Sequence, residues 1–199
     1  WADGISIFNP KTNTFTNLKH DPANPNSLSG NNIYAVKHGR DNKTWIGTYD
    51  FGLDVYDRKT KAIKAFRFDV NNPKTISSDR VYSLLEDSKD NLWVGTYDAG
   101  INLFDKSTET FIRFQHEENP TSLSNNSVPD LSNAPPGHIR VSTLAGLDLL
   151  DPKTRQFKIF TKKDGLPSDI IYAVREDKHG KLWISTNSGI SKYDPDNNT

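Results

Sequence analysis

Short pairs of residues that could contact a flat polar ligand recur along the chain. Tyr49-Asp50 and Tyr97-Asp98 are 48 residues apart, and Asn187-Ser188 takes the corresponding place in a later copy. An aromatic ring beside planar hydrogen-bonding groups suits the apolar face and the hydroxyl groups of a sugar. The alternative is a solvated loop whose side chains bond to their own backbone. The candidate ligand-binding residues are Tyr49, Asp50, Tyr97, Asp98, Arg140, Asn187 and Ser188.

These pairs belong to a longer repeat, which predicts the elements that position them. Trp45-Ile46-Gly47-Thr48 recurs as Trp93-Val94-Gly95-Thr96 and as Trp183-Ile184-Ser185-Thr186. A glycine follows each copy and opens an apolar alternation that ends in aspartate. Gly4, Gly52, Gly100, Gly146 and Gly189 are in register, with spacings of 48, 48, 46 and 43 residues. A period of this length with several short strands per unit is typical of a β-propeller blade.

One repeat contains four strand signals, at 81–85, 92–96, 101–104 and 111–114. Each is short, rich in β-branched or aromatic residues and bounded by turn residues. No stretch has the period of an amphipathic helix. The sequence therefore predicts an all-β fold of propeller blades with four antiparallel strands each. About four blades would form an arc or part of a larger propeller of the seven-bladed type.

The glycine register also predicts where each blade begins and ends. The predicted units are about 1–29 (partial), 30–76, 77–124, 125–165 and 166–199 (partial). The unit at 125–165 departs from the others, because Arg140-Val141-Ser142-Thr143 stands where the pattern has tryptophan. Such a break in symmetry favours a ligand notch or a partner surface there, with drift of the repeat as the alternative.

Residues that recur in every repeat are interpreted as architectural, because a repeat fold needs the same packing contacts in each unit. Stacking of the tryptophans on sugar rings is the alternative. The structural set is Trp45, Gly47, Thr48, Trp93, Gly95, Thr96, Trp183, Thr186, Gly52, Gly100, Gly146 and Gly189. Ligands of propellers usually meet loops at one face of the central channel. The loops that enter the first strands therefore add Asn31, Asn32, Asp79, Arg80, Asn125 and Asn126.

Composition narrows the function classes. Lys plus Arg and Asp plus Glu are both 25, and this balance argues against a duplex nucleic-acid binder. No apolar run is long enough to span a membrane, so we expect this segment to contact neither nucleic acid nor membrane. There is no cysteine, and the five histidines are not paired at metal-ligand spacing. We therefore expect no metal and no cofactor.

The two ends of the sequence repeat the same part of a blade. Trp1 aligns with Tyr49, and third-strand signals occur both at 4–9 and at 189–194. This redundancy argues against a four-bladed ring closed by its own termini. We expect an arc excised from a larger wheel, whose exposed sheet edges favour association with a second copy.

Three segments resemble the two-component regulator propeller repeats of hybrid two-component histidine kinases of Bacteroides-type bacteria. They are residues 86–96, residues 100–105 and residues 176–186. Residues 164–169 (DGLPSD) resemble the Asp-Gly-Leu-Pro-Ser-Asn segment that often opens one of the last blades before an Ig-like domain. The resemblance implies a non-catalytic, periplasmic sensor fragment of an inner-membrane histidine kinase. Its implied ligand is a carbohydrate oligomer, and its implied partners are the remaining blades and the Ig-like domain.

Two other functions compete with sensing. Residues 88–93 resemble the Asp-box hairpin of sialidase propellers, but a glycosidase needs a matched carboxylate pair, or a tyrosine nucleophile with an arginine cluster. The sequence offers only Arg140 near a suitable loop, so catalysis is the weaker alternative. The other alternative is a scaffold or dimerisation segment without a ligand of its own.

Overall fold

The computed structural model describes residues 3–194, which contain seventeen strands in five antiparallel sheets. The predicted all-β fold of four-stranded propeller blades is confirmed. Residues 1–2 and 195–199, and with them Trp1 and the outer limits of the two partial units, lie outside the described residues. No helix between residues 3 and 194 is long and apolar enough to cross a membrane.

We name the sheets blades A to E in chain order. Blade A pairs β1 (Ile5–Asn9) with β2 (Thr14–Leu18). Blade B contains β3 (Ile33–His38), β4 (Lys43–Thr48), β5 (Leu53–Asp57) and β6 (Ile63–Phe66). Blade C contains β7 (Val81–Glu86), β8 (Leu92–Thr96), β9 (Ile101–Asp105) and β10 (Thr110–Phe114). Blade D contains β11 (Asp130–Ala134), β12 (His138–Thr143), β13 (Gly146–Asp151) and β14 (Gln156–Phe160). Blade E contains β15 (Ile171–Glu176), β16 (Leu182–Thr186) and β17 (Gly189–Tyr193).

The core lies between successive blades rather than within one sheet. The first strands contact one another in the order β3, β7, β11 and β15. Trp45 and Trp93 are each 1% exposed, and Trp45 packs edge-on against Phe104 of the next blade at 5.2 Å between ring centroids. Burying rings of this size supplies a large share of the stabilising apolar area. Trp183 differs, since blade E is the last described blade and leaves this side chain 46% exposed.

A glycine after each second strand joins one blade to the next. The amide nitrogen of Gly52 donates to the carbonyl oxygen of Asp79, and that of Gly100 to Asn126, both at 2.8 Å. Gly100 has φ +79°, and a Cβ there would lie 2.2 Å from the carbonyl oxygen of Phe114. Gly52 and Gly100 are therefore required by close backbone approach as well as by positive φ, whereas Gly189 has a positive φ and open space around it.

The hairpin between the first and second strands carries a recurring acceptor for the tryptophan. Asp87 accepts a hydrogen bond from Trp93 Nε1 at 3.0 Å, and Asp177 accepts one from Trp183 Nε1 at 3.1 Å. Blade B has Gly39 at the same place, and Trp45 Nε1 is buried without a partner. These aspartates therefore fix both a tight turn and the orientation of the indole ring.

Candidate functional site: a tyrosine cluster on the loop face

The loop face is the end of the blades where first strands begin and second strands end. On that face, β3, β7 and β15 each start with a register shift that sets one residue out of the ladder. The shifts lie between Ile33 and Ala35, Val81 and Ser83, and Ile171 and Ala173, so the displaced residues are Tyr34, Tyr82 and Tyr172. A bulge re-aims a side chain away from the regular alternation. Each bulge therefore places one tyrosine at the loop face.

Two of these tyrosines and two that follow second strands form one group, which we call the tyrosine cluster: Tyr34, Tyr82, Tyr49 and Tyr97. Tyr34 and Tyr82 stack in parallel, with centroids 4.8 Å apart and an interplanar angle of 4°. Tyr49 lies 5.2 Å from Tyr34, and Tyr97 lies 4.9 Å from Tyr82. Tyr34 and Tyr97 remain 42% and 39% exposed. The cluster thus presents aromatic surface and hydroxyl groups to solvent across blades B and C.

Arg80 ties the cluster to the two predicted aspartates. Its guanidinium lies 5.7 Å from the centre of the Tyr49 ring. Nη1 is 3.2 Å from Asp98 Oδ2, and Nε is 3.7 Å from Asp50 Oδ1. The backbone positions the same groups, because Tyr97 N donates to the carbonyl oxygen of Arg80 at 3.0 Å. One cation therefore sits between two partly exposed carboxylates and over an aromatic ring.

The cluster favours the neutral form of the Tyr82 phenol. Burial raises the pKa of Tyr82, and the neighbouring phenols Tyr34, Tyr49 and Tyr97 raise it further, while Arg80 opposes the shift. A neutral phenol both donates and accepts a hydrogen bond. Stacked rings, hydroxyl groups and carboxylates of this kind match the groups that bind a sugar's apolar face and its hydroxyls.

The structure brings together four of the seven predicted ligand residues, Tyr49, Asp50, Tyr97 and Asp98, and adds Arg80 from the loop set. Sequence reasoning missed Tyr34 and Tyr82. Their signal was a tyrosine after the first residue of the first strand, seen at 33–35, 81–83 and 171–173. The missing information was the register shift, because an ideal strand gives no reason to single out that position.

Arg140 is the clearest correction. The sequence predicts that it binds ligand from a loop, but its side chain is only 10% exposed. The guanidinium donates to the carbonyl oxygen of Asn133 at 2.5 Å and to Glu176 Oε2 at 2.7 Å. Asn133 lies beside the β11–β12 hairpin, at the other end of the strands from the loop face. Arg140 takes the place of the tryptophan within β12 and joins blades D and E.

Most other predicted loop residues form local hydrogen bonds, as the alternative interpretation held. Asn31, Asp79 and Asn126 each accept a backbone N–H from the segment that leaves the preceding blade, at 2.7, 2.8 and 2.7 Å. Asn125 accepts from Ser127 N at 2.8 Å. Asn32 accepts from Tyr49 N at 3.0 Å through its carbonyl oxygen. These residues hold the loops that present the tyrosine cluster.

The predicted pair in blade E lies apart from the cluster. Asn187 Oδ1 accepts from Ser168 Oγ at 2.7 Å, and Ser188 N donates to Thr186 Oγ1 at 3.0 Å. In blade D, Pro129 stands where the neighbouring blades have the displaced tyrosine. The aromatic surface is therefore interrupted between Tyr82 and Tyr172.

A cavity of about 490 Å³ between blades D and E is the main alternative site. Leu147, Phe160, Leu166 and Leu182 line it together with Arg140. Between blades C and D, the Trp93 ring packs in a buried apolar cluster with residues of blade D. The cavity is largely apolar, and the guanidinium that borders it is already bonded. No group of three or more potential metal-ligating side chains occurs among residues 3–194.

Fold and site together define a β-propeller segment with an aromatic, acidic loop face. A family model described as "Two component regulator propeller" matches residues 27–50, 75–98 and 165–188. Three segments of the chain therefore match the two-component regulator propeller model. The matched segments cover the loop and first two strands of blades B, C and E, and blade D, which has Arg140 in place of tryptophan, is not among them.

Solved structures agree with this fold. The extracellular domain of BT3049 from B. thetaiotaomicron, described as a hybrid two component system, superposes with a TM-score of 0.84 at 22% identity, over 100% of this chain and 27% of that one. The extracellular domain of BT4673 from the same organism superposes with a TM-score of 0.72 at 18% sequence identity. The match covers 99% of this chain and 34% of that one. PorZ of Porphyromonas gingivalis, a surface component of the type-IX secretion system, superposes with a TM-score of 0.71 at 18% sequence identity. The match covers 95% of this chain and 29% of that one.

The chain spans about a third or less of the length of these three structures. No curated protein matches it. At such identities the likeness establishes the fold, and proteins with different roles share that fold.

Proposed function

We propose that the chain is a non-catalytic part of the periplasmic sensor region of a hybrid two-component histidine kinase, and that its loop face binds a carbohydrate oligomer. The observation that carries the proposal is the tyrosine cluster, with Arg80, Asp50 and Asp98 beside it. The extracellular neighbours and the regulator repeats support the sensor role. Bound ligand would bias signalling by favouring one of two arrangements of the sensor.

The electrostatics of the cluster favour binding over catalysis. A tyrosine nucleophile needs a stabilised phenolate, whereas the pKa of Tyr82 is raised. A sialidase-type mechanism also needs an arginine cluster, and within the described loop face Arg80 is the only arginine that bonds Asp50 and Asp98. Aryl glycosides should therefore not be turned over, and sustained hydrolysis by the purified chain would contradict this part of the proposal.

The test is calorimetric titration of the chain with a panel of glycan oligosaccharides. Tyr82→Ala removes the ring at the centre of the stack. We expect it to weaken binding of the best ligand by at least about tenfold, because it removes both the stacking surface and the support of the neighbouring rings. Tyr82→Phe keeps the ring and removes the hydroxyl group, so it should retain most of the affinity. Far-UV circular dichroism checks that each variant is folded.

Trp183→Ala is the matched control, because it removes a half-exposed ring from a blade outside the cluster. It should leave affinity unchanged. Equal losses in Tyr82→Ala and Trp183→Ala, or no binding by any oligosaccharide in the panel, would overturn the loop-face assignment.

An assembly role is a second candidate, supported by the apolar surface of blade E. Ile190 is 72% exposed and Trp183 is 46% exposed on this blade. Exposed apolar groups of this kind favour association. Light scattering of the chain and of Ile190→Lys separates the two functions, because a scaffold would lose its dimer in the variant while glycan binding at the tyrosine cluster would stay the same.

A further inference from the structure

The loops beside the tyrosine cluster are acidic where they leave the second strands. In blades B and C these loops contain Asp50 and Asp98 and no basic residue. Arg80, at the end of the loop that enters β7, is the cation that pairs with both carboxylates.

Arg80 is engaged by carboxylates, although its side chain is 44% exposed. Asp98 lies 3.2 Å from Nη1, Asp50 lies 3.7 Å from Nε, and the Tyr49 ring lies beside the guanidinium. An anionic ligand would therefore have to compete with two carboxylates for this cation. Arg67 is the other arginine that stacks on a loop-face ring, at 5.0 Å from the centre of Phe51, and Asp54 is near it.

The carboxylates beside the tyrosines are themselves accessible. The side chains of Asp50 and Asp98 are 53% and 43% exposed. An ionised carboxylate only accepts hydrogen bonds, so these groups suit ligand hydroxyl and ammonium groups and repel ligand carboxylates and sulfates.

We propose that the loop face selects by charge, taking neutral or amine-bearing oligosaccharides and rejecting glycans that carry uronic acids or sulfate groups. This inference rests on the proposed function, because it names the ligand class of the same site. The stacked tyrosines supply the contact area, and the pair of aspartates around Arg80 supplies the discrimination.

The experiment compares four probes of equal length by titration: a neutral cello-oligosaccharide, a chitosan oligosaccharide, an oligogalacturonate and a sulfated chondroitin oligosaccharide. We expect the neutral and amine-bearing probes to bind at least about tenfold more tightly than the anionic probes, as two like-charge contacts near the surface would require. Discrimination should shrink as NaCl rises from about 0.05 to 0.5 M, because exposed charges are screened over this range.

Asp50→Asn with Asp98→Asn removes the two carboxylates and keeps their size. We expect this double variant to lose most of its discrimination, so that the ratio of neutral to anionic affinity falls from at least about tenfold to less than about threefold. The control, Asp41→Asn with Asp90→Asn, removes the same charge from the hairpins at the opposite end of the strands. It should keep the preference of the original chain.

The possible outcomes distinguish this inference from the proposed function. Tighter binding of an anionic probe at the tyrosine cluster, lost in Tyr82→Ala, would overturn the charge selection and leave the glycan site standing. Binding of none of the four probes would overturn both. Equal loss of discrimination in the two aspartate variants would show a general charge effect and would also overturn the proposed role of Asp50 and Asp98.

Discussion

Blades C and D meet through a buried ring, whereas blades D and E meet through a buried charge. At the first junction Trp93 is 1% exposed and packs in a cluster with Leu131, Ile139 and Phe157. At the second, Arg140 has the same place in its strand and bonds Glu176 of the next blade. A cavity of about 490 Å³ lies beside Arg140 at this junction.

The difference shows how a repeat protein accommodates the replacement of a buried tryptophan by arginine. A buried charge is costly unless it is paired. Blade E supplies the partner, and a second pair, Arg175 with Asp130 at 2.5 Å, links the same two blades. The junction keeps an apolar cluster that joins Leu147 to Ile171 and Leu182, and charged hydrogen bonds take the place of the indole ring. We therefore expect the two junctions to respond differently to mutation.

The largest effect is expected at the apolar junction. Trp93→Ala removes a fully buried ring and should lower the free energy of unfolding by about 3–5 kcal/mol. Trp183→Ala, at the equivalent position but 46% exposed, should cost less than about 1 kcal/mol. Denaturant unfolding followed by circular dichroism measures both. Similar losses for the two variants would mean that burial between blades C and D is not what stabilises this region.

The second effect is a gain of stability in blade D that depends on pH. Burial raises the pKa of Asp148 to about 6 from 3.8, against hydrogen bonds from Ser124 that lower it. The folded state therefore binds the proton more tightly, so this group favours folding below about pH 4 and loses that contribution as pH rises through 6. Asp148→Asn should add up to about 3 kcal/mol at pH 7 to 8 and nothing near pH 4.

Blade C supplies the precedent for this substitution. Asn102 has the same place in its strand, accepts from Ser77 N at 3.0 Å and donates to Ser77 Oγ at 2.8 Å. Asp54 in blade B is a matched control, because Ser29 bonds both of its carboxylate oxygens and Asp54→Asn should gain less. A stability difference between Asp148→Asn and the original chain that is constant from pH 4 to 8 would refute titration of the buried Asp148 carboxyl as its cause.

The third effect tests the charged junction directly. Glu176→Gln keeps the shape of the side chain but leaves the guanidinium of Arg140 without its counter-charge. Because Glu176 is partly exposed, we expect a loss of about 1–3 kcal/mol, below the range for a fully buried pair. Arg175→Gln breaks a more exposed pair and should cost less than about 1 kcal/mol. Equal costs would show that burial of Arg140 does not set the strength of the junction.

The smallest effect is expected in the hairpin of blade B. Gly39→Asp would restore the acceptor that Asp87 and Asp177 provide for their tryptophans, and Trp45 Nε1 now has no partner. A Cβ at this position lies 2.9 Å from Asp41 Oδ1, so that side chain has to move. We expect a gain of about 0.5–1 kcal/mol. Loss of stability in thermal unfolding would mean that the turn, rather than the missing acceptor, limits this position.

The repeat made the fold predictable, because every blade repeats the same strand signals and turn residues. The strands predicted at 81–85, 92–96, 101–104 and 111–114 differ from β7 to β10 by at most one residue at either end. Arg140 shows why the site was harder to predict. The sequence reveals that it breaks the pattern, but only the position of Glu176 on the next blade reveals that its charge is buried and paired.

The loop face was predictable in part for a similar reason. Tyr49, Asp50, Tyr97 and Asp98 follow the second strands, so the repeat alone places them at one end of the blades. Tyr34 and Tyr82 depend on a register shift, and the contacts of Arg80 depend on two neighbouring blades. Local sequence patterns predict neither the register shift nor the contacts of Arg80.

The most direct test of the central claim is to map the contact surface of a bound oligosaccharide by backbone-amide NMR. The best ligand from the titration panel is added to isotope-labelled chain, and shifts are recorded for the loop face and for the D–E cavity. We predict that the perturbed amides centre on Tyr49, Arg80 and Tyr97 and are absent around Leu147 and Leu166. Perturbation centred on the cavity instead would contradict the assignment of the tyrosine cluster as the ligand site.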